Sequence, residues 1–231
     1  MLSHSEQPPL AALSVNEVVA MSKVLQLKTS IFDTQDNQGV SSQLGDALVS
    51  RLGDEDTEIT LVTRDFSKEA VPYFDNAWLQ ALSTSPGERS EKQAEKVAYS
   101  DALIAEVQHA DTIVIGVPMY NFAMPAALKS WTDHIARAGV TFHYTDAGAV
   151  GLLADKKVYV VLSTGGQHQE GVMDFLRPYL RTYLGFLGMK DVEFIVADGL
   201  NMGAAPRKEG LRKAHMQIQN LISRSHAGVA V

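Results

Sequence analysis

Short apolar, β-branched runs alternate along the chain with longer stretches in which apolar residues return every three or four positions. Val24-Leu25-Gln26-Leu27, Ile59-Thr60-Leu61-Val62, Thr112–Val117, Val158–Leu162 and Val192–Val196 are the runs, and each predicts a strand. After the first, Leu44, Leu48 and Leu52 predict a helix through Arg51, with Ser41 or Ser42 as its N-cap. Ser90-Glu91-Lys92-Gln93 reads as a capping box that opens a helix to residue 109, with Val97, Ile104 and Val107 on one face. Pro125 in a first turn, then Leu128, Trp131, Ile135 and Ala138 on one face and Gly139 past the end, predict a further helix. Helices are also expected over 172–185 and 206–224, with a short one near Trp78 in the irregular stretch 65–89. Thr141–Leu153 reads as a hairpin around Asp146-Ala147-Gly148. Strands alternating with helices predict a parallel sheet covered on both faces, in one α/β domain.

In such a sheet the loops after the first, third and fourth strands share the carboxyl edge, where open α/β sheets bind ligands. Residues 29–42 are hydroxyl-rich, end at a helix start and contain no Lys or Arg. Backbone amides and the helix dipole favour a phosphate there, held by neutral donors. A loop that only caps its helix is the plainer alternative. Pro118-Met119-Tyr120-Asn121-Phe122-Ala123-Met124-Pro125 offers varied polar and aromatic groups within a Pro-bounded loop. It suits a flat, partly polar ligand better than a core plug. Ser163-Thr164-Gly165-Gly166 permits close backbone approach, and its amides suit a carbonyl that gains negative charge. An ordinary strand-to-helix turn is the alternative.

Composition removes several function classes. There is no Cys, so disulfides, thiolate metal sites and cysteine nucleophiles are excluded. Seven histidines lie scattered without H-x-H or H-E-x-x-H spacing, and no metal site is expected. His168 reads as a solvated loop residue. Phe142, Tyr144, Phe175, Tyr179, Tyr183 and Phe186 read mostly as core, with one or two at a pocket or interface. G-x-S-x-G, G-x-x-x-x-G-K-[ST] and G-x-G-x-x-G are all absent. A net charge of −7 does not suit a nucleic-acid partner, and the longest apolar runs, such as Ile113–Met119, are far short of a membrane span, so no membrane partner is expected. Residues 1–20 carry neither a basic start nor a long apolar centre. They read as a flexible leader to a single domain over 21–231 in a cytoplasmic protein, with Met21 an alternative start.

The three loops carry a resemblance. Met21-Ser22-Lys23-Val24-Leu25, Pro118-Met119-Tyr120-Asn121-Phe122, Leu128-Lys129, Ala136-Arg137-Ala138-Gly139-Val140-Thr141-Phe142 with Tyr144-Thr145, Gly151-Leu152, Lys156-Lys157, Gly165-Gly166, Pro178-Tyr179-Leu180 and Leu184-Gly185-Phe186-Leu187-Gly188 resemble the bacterial FMN-dependent NADH-azoreductases. The resemblance implies a flavodoxin-like three-layer sandwich whose five-stranded parallel sheet has the order 2-1-3-4-5. It implies a homodimer that binds FMN near the subunit interface. It also implies oxidation of NADH or NADPH and reduction of quinones or aromatic azo compounds in a ping-pong cycle. The flavin carries that chemistry, so no catalytic side chain is nominated. By the same resemblance Ser30, Gly39, Val40 and Ser41 would contact the phosphate. Met119, Tyr120, Asn121, Phe122, Ser163, Thr164, Gly165 and Gly166 would contact the ring and ribityl chain.

The chain departs from the family pattern in three places. Extra residues lie between Phe32 and Val40. Val40 replaces a polar residue, which leaves a backbone contact only. Thr164 stands where close members have Arg, so nicotinamide or substrate preference is expected to differ. An FMN electron carrier without its own NADH-dependent activity is the competing reading, and a binding module with a vestigial site is a third.

Overall fold

The computed structural model describes residues 22–32, 39–53, 58–168, 170 and 172–227, with side chains through 221. The leader, Met21 and residues 33–38 lie outside the described residues. Five strands, β1 (Ser22–Lys28), β2 (Ile59–Asp65), β3 (Thr112–Pro118), β6 (Lys157–Ser163) and β7 (Val192–Ala197), form a parallel sheet in the order β2-β1-β3-β6-β7. With the hairpin strands set aside this is the expected order 2-1-3-4-5. The hairpin, β4 (Phe142–Thr145) and β5 (Gly148–Gly151), is a separate antiparallel pair.

Alternation along the strands makes two cores. On β3, Ile113, Ile115 and Val117 face one side, with Leu103, Ile104, Leu128, Trp131 and Leu180 of the helices there. Val114 faces the other, with Leu44, Leu48, Ala214 and Ile218. Helices α3 (Glu91–His109), α4 (Ala126–Ile135) and α5 (Leu176–Leu187) therefore cover the first face. Helices α1 (Val40–Gly53) and α6 (Ala204–Ala227) lie side by side on the second. The short α2 (Asn76–Ser83) packs on α3 and is capped by Asp75, which accepts from the Trp78 amide at 3.0 Å.

The capping box of α3 is present, with the Ser90 amide donating to Gln93 at 2.9 Å and the Gln93 amide donating back to Ser90 Oγ at 3.3 Å. Three helix boundaries differ from expectation. Ser41 and Ser42 lie inside the first turn of α1 rather than capping it, because the Gly39 carbonyl already accepts the Ser42 and Gln43 amides. Helix α4 begins after Pro125 and stops at Ile135, short of Ala138. There Thr141 Oγ1 accepts the Arg137 amide at 2.8 Å and donates to the Ile135 carbonyl at 2.7 Å, which ends the helix from outside. Helix α5 starts at Leu176 rather than 172, because buried Asp174 accepts the Leu176 and Arg177 amides.

Candidate cofactor site

All five strands are parallel, so their carboxyl ends and the loops that follow lie along one edge. A cleft of about 400 Å³ opens there. From the first loop it is lined by Ser30, Phe32, Gly39, Val40 and Gln43. The packing under this loop depends on Gly116 of β3. A Cβ on that residue would come within 3.0 Å of the Ser41 carbonyl, so the glycine lets the first turn of α1 settle onto the strand. The Thr29 hydroxyl donates to the Gly116 carbonyl at 2.7 Å and fixes the loop from the other side. A Cβ on Gly39 would collide with the Ser30 side chain, so the two residues together shape a concave wall. Val40 and Ser41 begin the helix, where amides lack intrahelical acceptors. The Ser41 hydroxyl is fully buried and has no partner among the described residues. Ser41 is not among the residues that line the cleft, which leaves its backbone amide at the helix start as the part suited to a ligand.

The second loop contributes Pro118, Met119 and Tyr120 to the lining. The Met119 amide donates to the Ser163 carbonyl at 2.8 Å and continues the β3–β6 pairing. Tyr120 and Ala123 exchange backbone hydrogen bonds at 2.9 and 3.0 Å around Asn121 and Phe122, whose φ values are 50° and 65°. Two left-handed residues in succession make a type I′ turn. Asn tolerates that conformation. Phe does not, at a cost of about 1–2 kcal/mol. Asn121 and Phe122 are exposed rather than plugging a core and are not among the residues that line the cleft, and the Phe122 and His168 rings meet edge to face with centroids 5.7 Å apart. The Tyr120 hydroxyl lies 3.4 Å from Ser30 Oγ and accepts the Ile31 amide at 3.3 Å, tying this loop to the first.

Ser163, Thr164 and Gly165 line the cleft from the third loop. Thr164 Oγ1 donates to the Gly166 carbonyl at 2.7 Å. The carbonyls of Thr164, Gly165 and Gly166 accept the amides of Leu200, Asn201 and Gly199 at 3.1, 2.9 and 3.0 Å. The Gly165 and Gly166 amides themselves have no acceptor among the described residues. Gly166 lies beneath the His168 ring, which is half-buried against it rather than solvated.

Leu200, Asn201 and Arg207, on the loop after β7 and the start of α6, also line the cleft. Sequence reasoning passed over them. The signal was present, since 198–203 is a Gly- and Asn-containing loop after a fifth parallel strand. Gln43, in the first turn of α1, was missed likewise. Among the six aromatics, Phe142 packs on Phe186 at 4.5 Å, whereas Tyr144, Phe175 and Tyr179 are exposed. No cluster of metal ligands occurs among the described residues.

The residues present fit FMN. Unengaged amides at a helix start, the Ser30 hydroxyl and the Gly39 concavity suit a phosphate. The same cleft is lined by Met119, Tyr120, Ser163, Thr164 and Gly165, whose apolar and polar groups suit a flat ring with polar edges.

Comparison with known proteins agrees. Residues 22–222 match the family described as having a flavodoxin-like fold. The FMN-dependent NADH:quinone oxidoreductase of Dechloromonas aromatica is 46% identical over 201 residues, which are 87% of this chain and 100% of that protein. The protein of the same name from Leptothrix cholodnii is 48% identical, over 87% of this chain and 96% of its own length. Among solved structures, an azoreductase from Bacillus anthracis str. Sterne superposes with a TM-score of 0.78 at 29% identity, covering 87% of this chain and 98% of that one. The chain belongs to this flavodoxin-like family, alongside the FMN-dependent NADH:quinone oxidoreductases and azoreductases.

Proposed function

We propose that the protein is an FMN-dependent oxidoreductase that uses NADH or NADPH to reduce quinones and aromatic azo compounds. The observation that carries the reading is the convergence of Ser30, Gly39 and Val40, of Met119 and Tyr120, and of Ser163, Thr164 and Gly165 on one cleft at the carboxyl edge. Relatives alike over nearly the whole length bear names of that activity. Bound FMN would supply the redox chemistry, taking two electrons from the reduced nicotinamide and giving them to the acceptor.

The chain's own residues bind, orient and exclude water. The first turn of α1 and the Ser30 hydroxyl hold the phosphate. Asn121 and the Gly165 and Gly166 amides would orient the ring and favour added negative charge on its polar edge. Met119 would lie against the ring, and the exposed Phe122 with His168 would shape the side from which donor and acceptor enter. Tyr120 holds the phosphate loop and the ring loop in register. No side chain in the cleft is nominated as a general acid, so protons come from solvent. One cleft serving donor and acceptor in turn predicts parallel initial-rate lines when NADH and a quinone are varied, and intersecting lines would reject it.

The domain spans 21–231 on this reading, and the need for NADH fits the cytoplasm. No helix among the described residues is long and apolar enough to cross a membrane. Exposed Tyr144, Val150, Leu152, Phe175 and Tyr179 bring apolar surface together around the hairpin and α5, which supports a homodimer. The test of the function is anaerobic. Protein loaded with FMN should lose its flavin colour on adding NADH and regain it on adding a quinone. Flavin that stays oxidised under NADH would identify an electron carrier instead.

A further inference from the structure

The phosphate end of the cleft has an electrostatic gap. A phosphate monoester carries about −1.5 to −2 charges at neutral pH. The loop and helix turn expected to hold it contribute no cation, since Thr29 to Ser50 contains no Lys or Arg. Lys28, the nearest in sequence, is paired with Asp46 at 2.7 Å. Neutral donors and a helix dipole leave a net negative group in a molecule whose own net charge is −7.

One cation does reach the cleft. Arg207, in the first turn of α6, is the sole charged residue among those that line it. Helices α1 and α6 lie side by side on the same face of the sheet, and both first turns open onto the cleft, through Gln43 and Arg207. The guanidinium is not committed elsewhere. Its side-chain hydrogen bond is a long one, 3.4 Å to the Leu200 carbonyl, and it forms no ion pair among the described residues. The position is also electrostatically costly for α6. Cations are disfavoured near a helix N-terminus, and the first turn of α6 has no acidic residue to offset this one. A bound dianion would reverse the sign of that cost.

We propose that Arg207 is a positioning residue for the flavin phosphate, reaching across from α6 to supply the cation that the loop before α1 lacks. The proposal rests on the FMN reading above. A guanidinium recognises phosphate through paired hydrogen bonds, which lysine reproduces only as a point charge. Arg207 therefore selects the phosphorylated flavin over riboflavin and sets where the isoalloxazine ring stops along the cleft.

The test compares FMN and riboflavin binding to apoprotein by fluorescence titration in wild type, R207A and R207K. Arg207 is exposed, so neither substitution should disturb folding, and thermal unfolding of each apoprotein checks this. R207A should weaken FMN about tenfold or more and leave riboflavin unchanged, since hydrogen bonds to charged groups are the strong class. The salt dependence of FMN binding should fall in R207A, and R207K should recover part of the affinity. Equal loss for both flavins, or no loss for either, overturns the proposal and leaves the FMN reading standing. Unchanged FMN affinity with a raised KM confined to NADPH would assign the cation to the nicotinamide's ribose phosphate and also overturn it. Wild-type protein that binds neither flavin would overturn both.

Discussion

The amino and carboxyl edges of the same sheet treat their polar groups differently. At the amino edge they are paired. Lys156 Nζ donates to the Val107, Gln108 and Ala110 carbonyls at 2.6, 3.3 and 2.5 Å, closing the C-terminus of α3 just before β3. Asp111 accepts the Lys23 amide at 2.9 Å, and Asp155 accepts the Lys190 and Asp191 amides at 2.8 and 3.3 Å. These backbone bonds hold the Asp155 carboxyl below its ordinary range. Lys157 pairs with Asp191 and Glu193, both at 3.0 Å. The carboxyl edge keeps the Gly165 and Gly166 amides without acceptors among the described residues, and a phenylalanine in a left-handed turn. Unmet groups and strain survive where the surrounding structure over-determines them, and such places are commonly functional. One edge secures the fold, and the other keeps its bonding capacity for a ligand.

That contrast can be broken by substitutions whose effects should fall on one side only. The largest effect is expected from Gly39→Val. Its branched side chain fills the wall beside Ser30, and overpacking of this kind costs about 1–3 kcal/mol. FMN affinity measured by equilibrium dialysis should fall roughly tenfold to hundredfold beyond any part explained by unfolding, and the loss of apoprotein stability to the same clash should be the smaller of the two effects. Equal damage to folding and binding would merge the two edges.

Next comes Lys156→Met, which removes a charged donor from three carbonyls. Urea unfolding of the apoprotein should show a loss of about 2 kcal/mol with FMN affinity unchanged. A change in affinity without a loss of stability would reverse the assignment.

A smaller, pH-dependent effect is expected at His134, near the end of α4. It is buried among Phe74, Trp78 and Tyr99, with Nε2 2.9 Å from the Pro72 carbonyl. Burial pushes its pKa below the ordinary 6.5, and Lys96 adds to this against the Pro72 bond and Asp133. The unfolded chain therefore binds the proton first as pH falls, so this contribution is intact above about 6.5 and is lost below it. Stability should drop between about pH 7 and pH 5 by up to 1.4 kcal/mol per unit more in wild type than in His134→Phe. Identical slopes would mean that His134 does not titrate with folding.

The smallest effect has the opposite sign. Phe122→Gly relieves the left-handed strain, less the glycine's unfolded-state entropy, so stability should hold or rise by up to about 1 kcal/mol. The KM for a quinone should rise, because the rim loses its ring. A variant less stable than wild type would show that Phe122 supports the fold.

The same contrast explains what sequence could and could not reveal. Strands and the Ser90–Gln93 capping box are local patterns, and each was legible. Met119 and Tyr120 were legible as cleft residues, because they follow directly on the third strand, whereas Asn121 and Phe122 turn outward and are exposed. The end of α4 was not, since the Thr141 hydroxyl that stops it comes from beyond the helix. Asn201 and Arg207 were hidden for a similar reason. Their loop was readable as the one after a fifth parallel strand, but its reach into the cleft depends on α6 lying beside α1, which is a tertiary fact. The burial of Ser41 was hidden as well, because it follows from how closely α1 approaches Gly116.

Hydrogen–deuterium exchange of the apoprotein with and without FMN tests the division between the edges most directly. FMN should slow exchange at 29–32, 39–43, 118–123, 163–168 and 198–207, and leave 107–111, 154–157 and 190–193 unchanged. Protection absent from the first set, or spread equally over both edges, would contradict the account.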